Sequence, residues 1–416
     1  MHLSNNIHLT YCTNIHAGES WKDIFQSLQE YVLPLKESIA PDNAFAIGLR
    51  LPDQASRTLI QPAELDAFKK WLTEHNLYVF TMNGFPYGGF HRQRVKDDVH
   101  RPDWTTTERR DYTIRLAQIL AELPNVPDTC DKCDAGISTS PFSYRGWYTN
   151  PSAHQDAIRK GCLHMAEVVK ELVGLSLEKG KVIHIDIEPE PDGSIDHVQD
   201  TIELFNKTLI PIVTAYLVDN LSVKHEAAEE LARTHIQLCY DVCHFAVMYE
   251  EPAAAIKAFK EAGIRIGKIQ ISAALKADLP TPVESRGPLL QAFQNLSEST
   301  YLHQVVARKT NLHAKENWAA RQQYPDLSDA LPHIFDPDVA EWRTHFHVPL
   351  FIKDYGLLQS TQEDIEKVLS IQKSSPFTHH LEIETYTWEV LPAELKINLK
   401  DSIEREIKWV LNYLKQ

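Results

Sequence analysis

The stretch KVIHIDIEPEPDG, residues 181–193, decides how the rest of the chain is read. Taken with a period of two, His184, Asp186 and Glu188 leave on one side, and Ile183, Ile185 and Ile187 on the other. That alternation marks a strand with an apolar face and an acidic face. Glu190 is read as belonging to the loop that follows. Carboxylates normally sit on open surfaces, so the surroundings of this acidic face are the first question to settle.

Similar strand patterns recur at 7–15, 45–51, 77–85, 136–144, 235–244, 265–274, 344–351 and 379–388. Helical patterns fill most of the gaps, at 20–38, 61–76, 105–123, 152–180 and 250–263, and several open on a capping residue such as Ser20 or one of Thr105 to Thr107. Strands alternating with helices along a whole chain predict a parallel sheet with helical crossovers. The strand count favours an α/β fold closed as a (β/α)8 TIM barrel, and no GxGxxG follows the first strand to suggest a dinucleotide fold. Nine candidates compete for eight places. The extra one is THFHVPLF (344–351), because it follows the least regular region, 275–343, which reads as an insertion before the last strand. The expectation is one barrel domain over 1–416 with that insertion packed across one end.

Bulk properties narrow the function. Hydrophobic residues make up 43% of the 416 and charged residues 24%, ordinary values for a globular chain with a sizeable core. The formal net charge of −15 argues against nucleic acid as a partner, because phosphate binding needs lysine and arginine to displace counterions. No basic-then-apolar leader opens the chain, and no window reads as the roughly 18 apolar residues of a membrane span, so a cytoplasmic location is expected. Six scattered cysteines do not form a disulfide framework. Cys130 and Cys133 form a single CxxC, weak as a zinc motif without a second pair.

The polar faces of several strands converge on one lumen: His184, Asp186 and Glu188; Lys268, Gln270 and Ser272; Glu382 and Glu384; Thr81 and Asn83; His345 and His347. Lone carboxylates inside a barrel cost on the order of several kcal/mol each. A divalent metal answers that cost, with oxygen ligands from Glu188, Asp241 and Glu384 at three strand ends and a His or Gln completing the shell. Bland readings stand beside it. Glu188 can cap a loop, Asp241 and His244 can be a buried hydrogen-bonded pair, Glu384 can pair with Arg50 or Arg265, and His345 and His347 can be structural histidines. Recurrence of the same acidic anomaly at several strand ends favours the metal. Around the mouth, His16, Asn83, His91 and Arg145 are candidates to grip substrate oxygens. Tyr87, Trp147 and Trp388 are candidates to stack on rings, and FPYGGF (85–90) suggests a tight loop or lid.

The segments YCTNIHAGESW, GLRL, TMNGFPYGGFH, DIEPEPDG, YDVCHFAV, KIQIS, HFHVPLF and LEIETYTWEVLP, spread over nearly the full chain, resemble the xylose isomerase-like barrels. Within that group they are most similar to the metabolite-traffic proteins of ebo gene clusters. The resemblance implies one or two divalent ions, Mn, Zn, Co, Fe or Mg, held by Glu188 on the fifth strand, Asp241 on the sixth, Gln270 on the seventh and Glu384 on the eighth. Gln270 departs from the histidine common at its position, and His347 is the candidate to compensate. Glu188 and Glu384 would be the catalytic acid and base, with His244 joining the substrate-binding residues. The implied function is a sugar or polyol isomerase or epimerase serving secondary-metabolite synthesis or traffic. Its ligand would be a small polyol or carbonyl metabolite, and proteins of an export pathway are possible partners. The alternatives are a non-catalytic metabolite- or partner-binding barrel and, disfavoured by charge, a phosphodiester endonuclease.

Overall fold

The fifth strand sits in the middle of the sheet that defines the molecule. In the computed structural model, residues 1–3, 6–91, 94–124, 134–298, 300–310, 321–387 and 398–415 are described. The barrel strands β1 (His8–Tyr11), β2 (Phe45–Arg50), β3 (Leu77–Asn83), β4 (Ala135–Thr139), β5 (Ile183–Ile187), β6 (Ile236–Asp241) and β7 (Ile266–Ile271) are each buried along their whole length. Six further strands separate β7 from the last barrel strand, β14 (His380–Ile383). The order is β1-β14-β7-β6-β5-β4-β3-β2, every pair parallel. A parallel bridge between Cys12 and Gly48 joins β1 to β2 and closes the ring. This is the (β/α)8 barrel expected from the sequence.

The helices cover the outer face, where Ile183, Ile185 and Ile187 are fully buried in the main apolar core. Their ends follow local chemistry. Ser20 accepts from Asp23 N–H and Asp23 answers in a capping box, Thr106 caps the helix Thr107–Glu122, and the long helix Pro151–Lys179 stops at Gly180, whose φ of 69° is left-handed. One helical run, Val198–Leu221, is long and apolar enough to cross a membrane by length and composition, which amends the expectation that no stretch qualifies. Its Leu204, Leu209, Val213 and Leu217 are buried in the barrel's outer layer.

Between β7 and β14 the chain builds a second sheet: β8 (Leu275–Asp278), β9 (Val305–Lys309), β10 (Arg321–Tyr324), β11 (Val339–Thr344), β12 (Asp354–Tyr355) and β13 (Leu358–Ser360), antiparallel in the order β10-β9-β11-β8-β13-β12. Val306 of β9 packs on Cys243, Val247, Met248 and Ala274, which seats this sheet near the C-terminal ends of β6 and β7. THFHVPLF is not a strand beyond Thr344. Residues 345–349 run without ladder pairing, and their period-two pattern instead buries His345 and His347 toward the barrel while Phe346 stacks on His303 at 3.7 Å. The Cys130–Cys133 pair, residues 311–320 and Trp388 lie outside the described residues.

Candidate metal centre and active site

Strand termination places the acidic groups. Glu188 follows β5, Asp241 ends β6 and Glu384 follows β14, so all three carboxylates reach the C-terminal mouth, where barrel enzymes carry their chemistry. Asp241 also caps the short helix Val242–Val247, its Oδ1 accepting from His244 N–H at 2.9 Å and from Ser272 Oγ at 2.8 Å. Its Oδ2 has no hydrogen-bond partner, and neither has Glu188 Oε2. Glu384 Oε1 accepts from Asn14 Nδ2 at 2.6 Å and Asn83 Nδ2 at 2.8 Å. The guanidinium alternatives for Glu384 fall away, since Arg50 pairs with Glu19 and Arg265 with Glu230.

Three imidazoles meet beside these carboxylates. His244 Nδ1 is 2.8 Å from Pro189 O, and His347 Nδ1 is 3.2 Å from Glu384 O. His345 Nδ1 is 2.7 Å from Gln304 Oε1, in an amide oriented by its own Nε2–H donating to Pro191 O at 2.9 Å. Each partner is an acceptor, so each Nδ1 carries the proton and each neutral ring turns an Nε2 lone pair inward. Burial lowers the pKa of all three, His347 to about 4, which keeps the rings neutral. The Nε2 atoms of His244 and His345 are 3.1 Å apart, as are those of His345 and His347, and Asp241 Oδ2 lies 4.0 Å from His347 Nε2. Tyr386 Oη, 3.3 Å from His345 Nε2, can donate to one of these lone pairs. Ligands bound to one ion at 2.0–2.1 Å stand about 3.4 Å apart in a tetrahedron, so the spacing fits a shared cation. Asp241, His244 and His347 form one possible ligand trio, and Glu190, His244 and His345 another.

The carboxylates show the same deficit of positive charge. Burial, then the charges of Glu384 and Asp241, pushes the Glu188 carboxyl well above the usual range. Burial, then Asp241 and Glu382, does the same to Glu384. Glu190 is raised to about 8, first by burial. A narrow cavity opens above them, lined by Glu188, Glu190, His244, His345, His347 and Glu384 below and by Phe85, Phe90, Tyr301 and Tyr386 above. The space open to the centres of water-sized molecules is about 50 Å³, enough for only a few waters. Phe90, Tyr301 and Tyr386 pack against one another with centroids 5.2–5.3 Å apart, forming an aromatic cover.

The structure brings together Glu188, Asp241, Glu384, His244, His347 and Asn83. Gln270 is fully buried beneath them on β7, beside Asp241 in register, with both amide atoms unpartnered. His91 stands one layer out, Nε2 against Asn14 O at 2.6 Å. With His91, two more expected substrate contacts do not line the cavity. The His16 ring is stacked on Tyr31 at 4.3 Å and bonded to Tyr11 Oη, and Arg145 is drawn into ion pairs with Asp196 and Asp200. His184 and Asp186 do not touch the mouth either, being paired with each other at 2.6 Å deeper in the lumen. Glu190 lies in the loop after β5, as the periodicity indicates, and that loop buries it in the cavity wall, which the sequence did not signal. Asn14 and Tyr386 carry no sequence signal of their role; the His-x-His spacing was the available sign for His345.

No family model matches the chain, and no curated protein matches it. Solved structures do. The crystal structure of the IolI protein with a bound zinc atom is 12% identical over 98% of each chain, TM-score 0.47. A probable 3-DHS dehydratase, AsbF, from Bacillus anthracis is 11% identical over 98% of this chain and 99% of that one, TM-score 0.43. A xylose isomerase domain containing protein from Salmonella typhimurium LT2 is 11% identical over 99% and 98%, TM-score 0.40.

Proposed function

We propose that the mouth of the barrel is a divalent-metal centre that moves a proton on a small polyhydroxylated or carbonyl metabolite, as an isomerase or epimerase does. The observation that carries this reading is the meeting of three inward Nε2 lone pairs with unpartnered oxygens of Asp241 and Glu188. Lone pairs 3.1 Å apart repel one another unless a proton or a cation lies between them, and the Nδ1–H groups are held by acceptors, as at metal sites. His244, His345, His347 and Asp241 would hold the ion, with Glu188, Glu384 and Gln270 beside it. Imidazole-rich donors favour Zn, Co or Fe over Mn or Mg. Bound there, a divalent ion polarises a carbonyl or hydroxyl oxygen of the ligand.

Glu188 and Glu384 are the proton carriers in this reading. Each faces the cavity, which puts both carboxyls within reach of a ligand held there, the first requirement of a general acid or base. Asn14 and Asn83 fix Glu384 Oε1, so Oε2, 3.4 Å from His347 Nδ1, is the oxygen left to exchange a proton. We propose, on the resemblance to ebo-cluster proteins alone, that such a reaction serves secondary-metabolite synthesis or traffic.

Elemental analysis of the purified protein and of His347→Ala tests the metal, and solvent-deuterium incorporation into a panel of ketoses and aldoses tests turnover. Stoichiometric metal lost in the variant, with exchange abolished by Glu188→Gln, is expected. A folded protein that takes up no metal at the mouth sinks the reading, and bound metal without exchange on any sugar leaves a binding barrel.

A further inference from the structure

At the opposite end of the lumen, Asp134, His184 and His380 make a second cluster that shares no residue with the mouth. Asp134 directly precedes β4, His184 lies near the start of β5 and His380 opens β14. Asp134 Oδ2 is 3.6 Å from His184 Nε2, and Oδ1 is 3.4 Å from His380 Nε2. The three donor atoms lie within 4.8 Å of one another. Both imidazole side chains are almost wholly buried, 1% and 2% exposed, while Asp134 is 33% exposed and opens the cluster to a surface cleft shared with Gly267, Thr378 and His379.

Two features show that the position is built. His184 Nδ1 donates to Asp186 Oδ1 at 2.6 Å, which turns its Nε2, a buried atom with no hydrogen-bond partner, toward Asp134 and His380. A carboxylate behind the far nitrogen is the arrangement that orients histidine ligands. Space for it is cleared from both sides. A Cβ at Gly136 would come within 2.4 Å of Asp186 Oδ2, and one at Gly267 within 1.9 Å of Asp186 Oδ1, so neither strand tolerates a side chain there. The two rings stack at 5.4 Å, 21° from parallel, with their Nε2 edges on the same carboxylate.

We infer that His184 Nε2, His380 Nε2 and the Asp134 carboxylate form a second divalent-metal site at the N-terminal end of the barrel, suited to a borderline ion such as Zn(II) or Co(II). Two imidazoles and one carboxylate leave a fourth position for water from the cleft. The ion would tie the starts of β4, β5 and β14 together, and the role inferred for it is structural, at the end of the barrel opposite the mouth cavity.

The test is metal stoichiometry after loading with Zn(II) and desalting. Wild type is expected to retain two equivalents. The double variant His345→Ala/His347→Ala keeps one, and Asp134→Asn and His380→Gln each lose one while keeping that of the mouth. Asp134 is partly exposed, so its variant should fold even where His380→Gln does not. Added Zn(II) should raise the Tm of the mouth double variant and leave that of the same variant carrying Asp134→Asn unmoved. Wild-type metal content in a folded Asp134→Asn protein, or none in the mouth double variant, overturns the second site. A single equivalent lost with Asp134→Asn but not with the mouth variants supports it and removes the metal reading of the mouth instead.

Discussion

In the middle of the barrel, Lys268 Nζ lies 2.6 Å from Glu382 Oε2 and 2.9 Å from Ser138 Oγ, with both charged side chains fully buried. One step nearer the mouth, Glu188, Asp241 and Glu384 form no ion pair with lysine or arginine among the described residues. Both tiers hold buried carboxylates, one in the middle and three at the mouth, and they differ in whether the chain supplies the cation. Lys268 is held charged there, its pKa raised against burial by Glu382, so the middle tier is electrically closed. The upper tier closes only with something from outside the chain, a proton or a metal, and that difference separates a structural lumen from a reactive one.

Breaking the middle tier should have the largest effect. Lys268→Met leaves Glu382 buried without its partner and is expected to cost about 3–5 kcal/mol in urea unfolding, with most of the loss regained in Lys268→Met/Glu382→Leu. A loss under about 1 kcal/mol for the single variant would show that the tier is not held by this pair.

The upper tier should instead reveal itself through pH. Glu190 has an ordinary pKa near 4.5 and is raised to about 8 in the folded protein, while Glu188 and Glu384 are shifted in the same direction. Between those values the native state holds a proton that the unfolded state has released. Stability of the metal-free protein therefore falls as pH rises from about 4.5 to about 8, by an amount on the order of a few kcal/mol. Thermal melts after chelation should decline over that window, and Glu190→Gln should flatten the decline. A metal at the mouth should raise the melting temperature more at pH 8 than at pH 5.

These contrasts also mark what the residues disclose unaided. The alternation in 181–190 and its repeats specify the barrel, because a period of two with one apolar face has few other resting places. The same alternation brings Glu188, Asp241 and Glu384 to one mouth. It fails at THFHVPLF, where a period-two pattern in an extended loop is indistinguishable from a strand until pairing partners are known. It fails again at His16 and Arg145, since proximity to a strand end does not say which neighbour captures a side chain: Tyr31 stacks on one and Asp196 pairs with the other. Gln304 illustrates the limit most clearly. It lies just before β9, 41 residues before His345, and only the folded chain brings its amide to that ring.

That amide gives a smaller, sharper probe. Gln304→Ala removes the acceptor that fixes the His345 tautomer, and metal affinity should fall about 10- to 100-fold by chelator competition. Unchanged affinity would place His345 outside the ligand set and leave His244, His347 and Asp241 to hold the ion.

The smallest effect is expected at Asn14. Its Nδ2 and that of Asn83 share Glu384 Oε1, so Asn14→Ala leaves one donor in place and removes about 1 kcal/mol of support, roughly fivefold in kcat/KM if Glu384 acts on substrate. The hydrogen bond from Asn14 lowers the Glu384 pKa, so its loss should move the corresponding limb of the pH–rate profile upward while metal content stays at the wild-type value. A ligand role alone for Glu384 predicts the opposite pairing, weaker metal binding with an unmoved profile. Asn83→Ala is the internal control: it removes the other donor to the same oxygen and should shift the same limb in the same direction.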